Sequence, residues 1–476
     1  MKKRTFLKTI AAASSLAVLP SGMLAFKKNK KLRTAHIGVG NMGFEDLKAI
    51  TSHGEVEVVA LCDVDATYLT NAQKLYPSAK TFSDYREMLR AMENTIDAVI
   101  VSTPDHTHAP ASLMAMEMGK PVYCQKPLTH HVSEARAMEA LATKNKLVTQ
   151  MGIQVHSFYD YRLATLLIQS GIIGKVHTVR AWSPKDWGYD GPPPTGKDSI
   201  PDTLDWNLWL GTAPLQSYKE GYYHPGNWRK LLDYGCGTLG DMGVHIFDTP
   251  YNALQLGVPL TIRNECREPN DFGFPTQNVV TYEFPGTKYT SEKLKWVWYD
   301  GPGAPNEHVD LVLPGLQSQK DNKPVQKNEQ TMEDKISLDA NMAKLGELPE
   351  QGAMFIGEAG RLLLPHFMQL PQKILGDQYV DISEEIAQIS KEHNLGEPIR
   401  NYDSEGPKHY HQFVDACLGK GECTAPFSYA AKLTETILLG VIAGRFPNKT
   451  LHWDAEKALF AEKEANAFLN APYREF

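Results

Sequence analysis

The 476-residue chain carries 49 Lys and Arg against 56 Asp and Glu, a formal net charge of −7, with a mean hydropathy of −0.36. At 42% apolar and 22% charged residues it has the composition of an ordinary soluble protein, long enough for two or three cores. No basic stripe tracks a phosphate backbone, which argues against nucleic acid as a partner, and the six cysteines include no C-x-x-C pair.

Residues 1–30 read as an export signal. Lys2, Lys3 and Arg4 form a positive start, and an apolar, small-residue stretch from Thr9 to Ala25 is interrupted by Pro20. A permanent membrane span would need about 20 uninterrupted apolar residues. Lys3-Arg4-Thr5-Phe6-Leu7-Lys8 resembles the twin-arginine export motif with Lys for the first Arg; the resemblance implies passage of a folded protein to the periplasm.

From 31 to 155, β-rich runs alternate with helical ones, the pattern of a parallel sheet. Strands are expected at Thr34–Gly38, Val56–Cys62, Ala98–Thr103, Val122–Cys124 and Leu147–Met151. Helices are expected at Met42–Thr51, Ala66–Leu75, Asp84–Met92, Ala109–Glu117 and Ser133–Lys144. Continuous apolar strands such as Ala98-Val99-Ile100-Val101 imply burial on both faces.

The pattern changes at 156, and residues 156–476 are expected to form an α+β domain around a large, mainly antiparallel open sheet. A helix at Tyr161–Gln169 precedes alternating segments. In Lys293–Tyr299, Leu294, Trp296 and Trp298 share one face while Lys293 and Lys295 share the other, predicting a half-exposed strand. Residues 300–351 read as a polar insertion with a helix at Thr331–Leu345. Helical spacing returns in 405–476, at Phe413–Leu418 and Tyr429–Arg445. An exposed antiparallel sheet of this kind would make the protein a homo-oligomer.

Ile37-Gly38-Val39-Gly40-Asn41-Met42-Gly43 is a G-x-G-x-x-G turn between a predicted strand and a predicted helix, the context that gives the motif its meaning. Gly38 permits the tight turn, Gly40 lets a pyrophosphate reach the backbone, and Gly43 allows close helix–strand packing. The amides at Asn41 and Met42 then face the phosphates at a helix N-terminus. Asp63, twenty residues after Gly43 at the end of the second strand, would accept from ribose hydroxyls and repel a 2′-phosphate. The expected fold is a Rossmann domain, and the expected cofactor is NAD rather than NADP, held tightly enough to accompany the protein through export.

Three further segments carry a resemblance: Thr103-Pro104-Asp105-His106-Thr107-His108, Cys124-Gln125-Lys126-Pro127, and Gly237-Thr238-Leu239-Gly240-Asp241-Met242-Gly243-Val244-His245-Ile246-Phe247-Asp248. They are similar to the strand-end, Glu-Lys-Pro and G-x-L-x-D-x-G-x-H-x-x-D motifs of the Gfo/Idh/MocA oxidoreductases (glucose–fructose oxidoreductase, inositol dehydrogenase and rhizopine catabolism). The resemblance implies a Rossmann domain followed by an α+β domain. It implies that Thr103, Pro104, His108, Gln125 and Lys126 lie beside the nicotinamide and that the Lys126–Pro127 bond is cis. It also implies that Lys126, Asp241 and His245 carry catalysis: His245 as base, Asp241 orienting, Lys126 donating to the reacting oxygen. Gln125 departs from the motif's Glu and removes a charge beside Lys126.

Trp182–Tyr189 and Tyr222–Arg229 mix aromatic faces with forked polar groups, as a sugar ring requires. Lys185, Trp228 and Arg229, with His156 behind them, are the expected substrate contacts; loop packing is the competing explanation. The His106/His108, His130/His131 and His409/His411 pairs lack a third ligand at useful spacing, so no metal is expected. The function expected is hydride transfer from a sugar, glycoside or cyclitol hydroxyl. An exported enzyme meets no free NAD pool, which keeps open a redox-neutral alternative: an NAD-dependent glycosidase or lyase that oxidises, eliminates and re-reduces. A catalytically silent sugar-binding protein is the third alternative.

Overall fold

The structure, a computed structural model, describes residues 31–315, 347–470 and 472–476. The expected export signal and the helix expected at Thr331–Leu345 lie outside the described residues. The first half alternates strand and helix: β1 (Leu32–Ile37), α1 (Met42–Thr51), β2 (Val56–Cys62), α2 (Ala66–Leu75), β3 (Lys80–Phe82), α3 (Tyr85–Met92), β4 (Ala98–Val101), α4 (Asp105–Glu117), β5 (Val122–Gln125), α5 (Val132–Asn145) and β6 (Thr149–Gly152). The strands form one parallel sheet in the order β3-β2-β1-β4-β5-β6, the doubly wound order whose switch point lies between β1 and β4. All four residues of β4 and of β5 are buried, as the continuous apolar runs require.

Apart from shifts of one or two residues at strand and helix ends, two elements of this half differ from the sequence expectation. β3 has only three residues, too few to display a period of two. α4 starts at Asp105, four residues before the expected Ala109, because the polar run Asp105-His106-Thr107-His108 is helical, and all but Thr107 are buried. Polarity at those positions serves internal hydrogen bonds rather than solvent.

The second sheet has the order β14-β13-β12-β11-β7-β10-β9-β8-β15-β16. Its strands are β7 (Val176–Ser183), β8 (Thr261–Glu265), β9 (Asn278–Pro285), β10 (Thr290–Asp300), β11 (Gln351–Gly357), β12 (Gly360–His366), β13 (Gln372–Leu375), β14 (Gln378–Val380), β15 (Thr450–Asp454) and β16 (Leu459–Phe460). Pairing is antiparallel except that β7 and β10 run parallel. Helices α6 (Tyr159–Gln169) and α8 (Val244–Ala253) cover one face, where Phe247 stacks on Trp296 at 4.2 Å between centroids. The remaining helices are α7 (Trp206–Leu210), α9 (Ser383–Glu392), α10 (Tyr402–Cys417) and α11 (Phe427–Ala443).

The half-exposed reading of Lys293–Tyr299 holds at Lys293 and Lys295, which are exposed, and is corrected beyond them. Leu294, Trp296 and Trp298 are buried as expected, but Val297 and Tyr299 on the opposite face are buried too, against Trp182, Leu311, Leu313 and Met354. Part of the stretch read as a polar insertion folds back and supplies that cover. The C-terminal helices return to the parallel sheet: Met151 N donates to Ala425 O at 2.9 Å, and Phe427 N donates to Thr149 Oγ1 at 3.0 Å. Among the described residues no helix is long and apolar enough to cross a membrane.

Candidate active site

The chemistry gathers where parallel-sheet ligands bind, at the carboxyl ends of the strands. After β1 the chain turns through Gly38, whose φ of +81° suits only glycine, and a Cβ at Gly43 would stand 2.2 Å from Gly38 O. Among the described residues the amides of Gly40, Asn41 and Met42 have no protein acceptor, so three donors line the start of α1. Asp63 accepts from Val39 N at 2.8 Å and Asp65 N at 2.9 Å. Burial pushes its pKa up to about 6 against the pull of those two N–H groups, leaving it ionised at neutral pH. An anion cradle followed by a fixed carboxylate fits a dinucleotide, pyrophosphate on the amides and ribose on Asp63.

The reacting end is a cavity of about 390 Å³ lined by Met42, Thr103, Asp105, Gln125, Lys126, Trp228, Arg229, Asp241 and His245 among others. Lys126 follows β5, and the Lys126–Pro127 bond is cis. Leu239–Gly243 is a single π-helical turn running into α8, a wide turn of the kind found at functional sites. It places Asp241 at a hub. Lys126 Nζ donates to Asp241 Oδ1 at 2.7 Å and to its main-chain O at 2.9 Å. Trp187 Nε1 donates to Oδ2 at 2.7 Å, and Arg229 Nε reaches Oδ1 at 3.4 Å. Burial alone would raise the Asp241 pKa, but Lys126 and Arg229 hold it far below the usual carboxylate range. The hub is therefore a permanent anion, and one of the three Lys126 protons remains for a ligand. His245 has a buried Nδ1 without a partner among the described residues. Burial, then the Lys126 charge, hold its imidazole well below the ordinary 6.5, so it is a neutral base at working pH.

The other expected site residues divide. Thr103 lines the cavity, and Pro104 caps the start of α4 beside it. Trp228 and Arg229 line it together, the guanidinium 4.2 Å above the Trp228 ring. Gln125 also lines it, with Nε2 donating to both Asp46 oxygens at 2.9 Å and Oε1 accepting from Lys126 N at 3.2 Å. Three placements correct the expectation. His108 lies behind the wall, its ring nitrogens 2.8 Å from the carbonyl oxygens of Pro127 and Thr103, so it braces the two strand-end loops. His156 is paired internally with Asp248 at 2.9 Å; Asp248 more than offsets the burial that would lower its pKa, and Gln154 and Val155 line the cavity in its place. Lys185 is exposed and is not among the lining residues, although its charge reaches His366 in that lining and helps to lower the imidazole.

Sequence reasoning missed several groups. Asp46 is buried on α1 and accepts from Ser102 Oγ, Gln125 Nε2 and Tyr410 Oη; burial pushes it up to about 6. It supplies, one residue layer back, the carboxylate that Gln125 itself lacks. The signal was present: an acid within the buried set Gly43, Asp46, Leu47, Ile50 of one helix. Asp105 lines the cavity, and burial pushes it up to about 7 despite Arg229 and Lys126. His366, at the end of β12, brings a second imidazole with its centroid 6.4 Å from His245. Its Nδ1 bonds Tyr161 Oη, and burial lowers it to about 4. No local pattern marks His366. Among the described residues no three His, Cys, Asp or Glu are grouped to hold a metal.

Fold and site define a dinucleotide-binding protein of the Rossmann class with a second, sheet-based half. Residues 32–153 match the oxidoreductase family with NAD-binding Rossmann fold, and residues 163–266 match the oxidoreductase family, C-terminal alpha/beta domain. The chain belongs to the Gfo/Idh/MocA oxidoreductase family. It is 36% identical over 192 residues to a glycosyl hydrolase family 109 protein of Stenotrophomonas maltophilia (strain K279a), covering 38% of this chain and 42% of that protein. It is 32% identical over 149 residues to inositol 2-dehydrogenase of Rhodococcus erythropolis (strain PR4 / NBRC 100887), covering 31% and 42%. The chain thus spans under half the length of these two curated relatives. The solved structure of levoglucosan dehydrogenase in complex with NADH and L-sorbose superposes with a TM-score of 0.58 at 15% identity, over 89% of this chain and 99% of that one.

Proposed function

We propose that the protein transfers hydride between a carbohydrate or cyclitol CH–OH group and NAD. The observation that carries the proposal is the convergence of Lys126, Asp241 and His245 in the cavity that also holds Met42 and Thr103. When bound, nicotinamide supplies the hydride acceptor. His245 takes the hydroxyl proton, Lys126 donates to the same oxygen, and Asp241 holds the Lys126 side chain in place. Asp63 favours NAD over NADP by its charge. The names of the relatives, an inositol dehydrogenase and a levoglucosan dehydrogenase, support a polyol or sugar substrate.

A second reading has a specific observation behind it. His366 gives the cavity a second neutral imidazole, which net oxidation does not need. In redox-neutral cleavage, His245 takes the hydroxyl proton as hydride leaves, and His366 removes the acidified proton beside the new carbonyl. The glycosidic C–O bond breaks with its electron pair on oxygen, which picks up a proton. Water then adds, and the hydride returns to the ketone. The glycosyl hydrolase relative supports this cycle, as would export of the protein if residues 1–30 act as the expected signal. Incubating glycosides with the NAD-loaded protein in deuterated water separates the two. A keto-sugar with no exchange and no freed aglycone is expected for net oxidation; deuterium beside the oxidised carbon with a freed aglycone identifies the cycle. Neither product from any sugar, glycoside or cyclitol would contradict both.

A further inference from the structure

The cavity has a wall that hydride transfer does not use. Phe158, Phe367 and Tyr402 line it and pack on one another: Phe158–Phe367 at 5.3 Å and Phe158–Tyr402 at 6.1 Å edge to face, and Phe367–Tyr402 tilted at 5.7 Å between centroids. They come from three separate places, the lead-in to α6, the loop after β12 and the first residue of α10. Phe158 is 1% exposed and serves as floor, whereas Phe367 and Tyr402 are 37% and 45% exposed. Large aromatic rings left open to solvent inside a cleft are unspent contact surface. Tyr402 is also set in place from below: a Cβ at Gly406, one turn on, would lie 3.0 Å from the ring, so glycine there lets the ring lie back on its own helix.

The wall continues the catalytic end without a gap. From His245 the ring contacts run to His366 at 6.4 Å and from His366 to Phe367 at 5.5 Å, and no ring contact joins the trio to Trp228 among the described residues. The cleft is therefore two-sided, with proton-exchanging groups at one end and bare aromatic faces at the other. A free monosaccharide or cyclitol, polar around its whole rim, engages only the first. We propose that Phe367 and Tyr402 form a stacking subsite for a second, apolar-faced ring, so that the preferred substrate is a glycoside with a ring aglycone, either another pyranose or an aryl group. This rests on the hydride-transfer reading and names its substrate class.

The test is titration calorimetry on the NADH-loaded protein, which cannot oxidise a glycoside and so reports binding alone. Methyl and phenyl glycosides and the corresponding disaccharides are compared, in both anomers, for glucose, galactose and N-acetylglucosamine. In at least one series the ring-bearing ligand is expected to bind about tenfold more tightly than the methyl glycoside, the scale of one well-stacked ring; phenyl against disaccharide tells which ring is favoured. Phe367→Ala and Tyr402→Ala should collapse that ratio and leave methyl-glycoside and NADH affinities unchanged, and Tyr402→Phe should retain it. Equal affinity for methyl and ring glycosides, or an undiminished ratio in the alanine variants, overturns the subsite while hydride transfer stands. A fall in NADH affinity with the ratio intact would assign the wall to the cofactor and also overturn it. No binding by any glycoside, with no sugar or cyclitol reducing bound NAD, would instead remove the reading on which the subsite rests.

Discussion

Asp105 is the ionisable group in the cavity whose pKa, about 7, falls in the middle of the working range. Its shift is upward from 3.8 because burial penalises the carboxylate, so the protonated form dominates below about pH 7 and the anion above it. The nicotinamide ring is cationic in NAD⁺ and neutral in NADH. If the ring binds near Asp105 in this cavity, the ionised carboxylate would stabilise only the oxidised form, so the ratio of NAD⁺ to NADH affinity should rise as pH rises through about 7. Equilibrium titrations of both forms at pH 6 and pH 8 would show it, and Asp105→Asn should flatten the dependence. His245 adds no inflection above 6.5, since burial moves it the other way. A pH-independent ratio in the unmodified protein would mean that Asp105 is not near the ring.

Between elements, the contact that positions Lys126 is the seam where β5 meets α1. Gln125 donates both bonds of its amide to Asp46, while Gly152 on β6 leaves room for the Gln125 side chain, a Cβ there lying 2.9 Å from its amide carbon. Restoring the motif's usual acid by Gln125→Glu would set two buried carboxylates together. The Asp46 pKa of about 6 already exceeds that of an unfolded carboxylate. Its contribution is thus full below about pH 4 and is lost as pH rises through 6. Gln125→Glu should deepen that loss, costing about 2 kcal/mol at pH 8 and less at pH 5 by urea denaturation. Asp46→Asn in the same chain should recover most of it. A variant as stable as the parent at pH 8 would show that the pair is solvated.

This seam also shows what the sequence made legible. α1 and α2 are readable to the residue because their boundaries carry glycine and Asp signals, whereas Asp46, buried on α1, was not singled out. β10 was readable as a strand but not as a doubly covered one, since the cover comes from Leu311 and Leu313 in a stretch whose composition is polar. His108 and His156 could not be separated from true cavity residues. Whether an imidazole meets a carbonyl, a buried carboxylate or open space is decided by residues up to 92 positions away. Lys126 and Asp241 are 115 positions apart, and only the motif resemblance brought them together before the fold did.

Across the whole molecule, cofactor and substrate chemistry come from different parts of one fold. The parallel sheet brings the amide cradle, Asp63 and Lys126 to its carboxyl edge; the π-turn and α8 bring Asp241 and His245; β12 brings His366. Nucleotide binding and hydride transfer should therefore be separable by mutation. Lys126→Ala and His245→Ala remove groups at the reacting end and leave the Gly38–Gly43 turn and Asp63 untouched. The most direct test is to load each variant with NAD, confirm the bound nucleotide by heat release, and follow its reduction by a substrate that reduces it in the parent protein. Both variants are expected to hold NAD at near-parental affinity and to reduce it at least about a hundredfold more slowly. Near-parental reduction in both, or loss of NAD binding with the fold intact, would contradict the account.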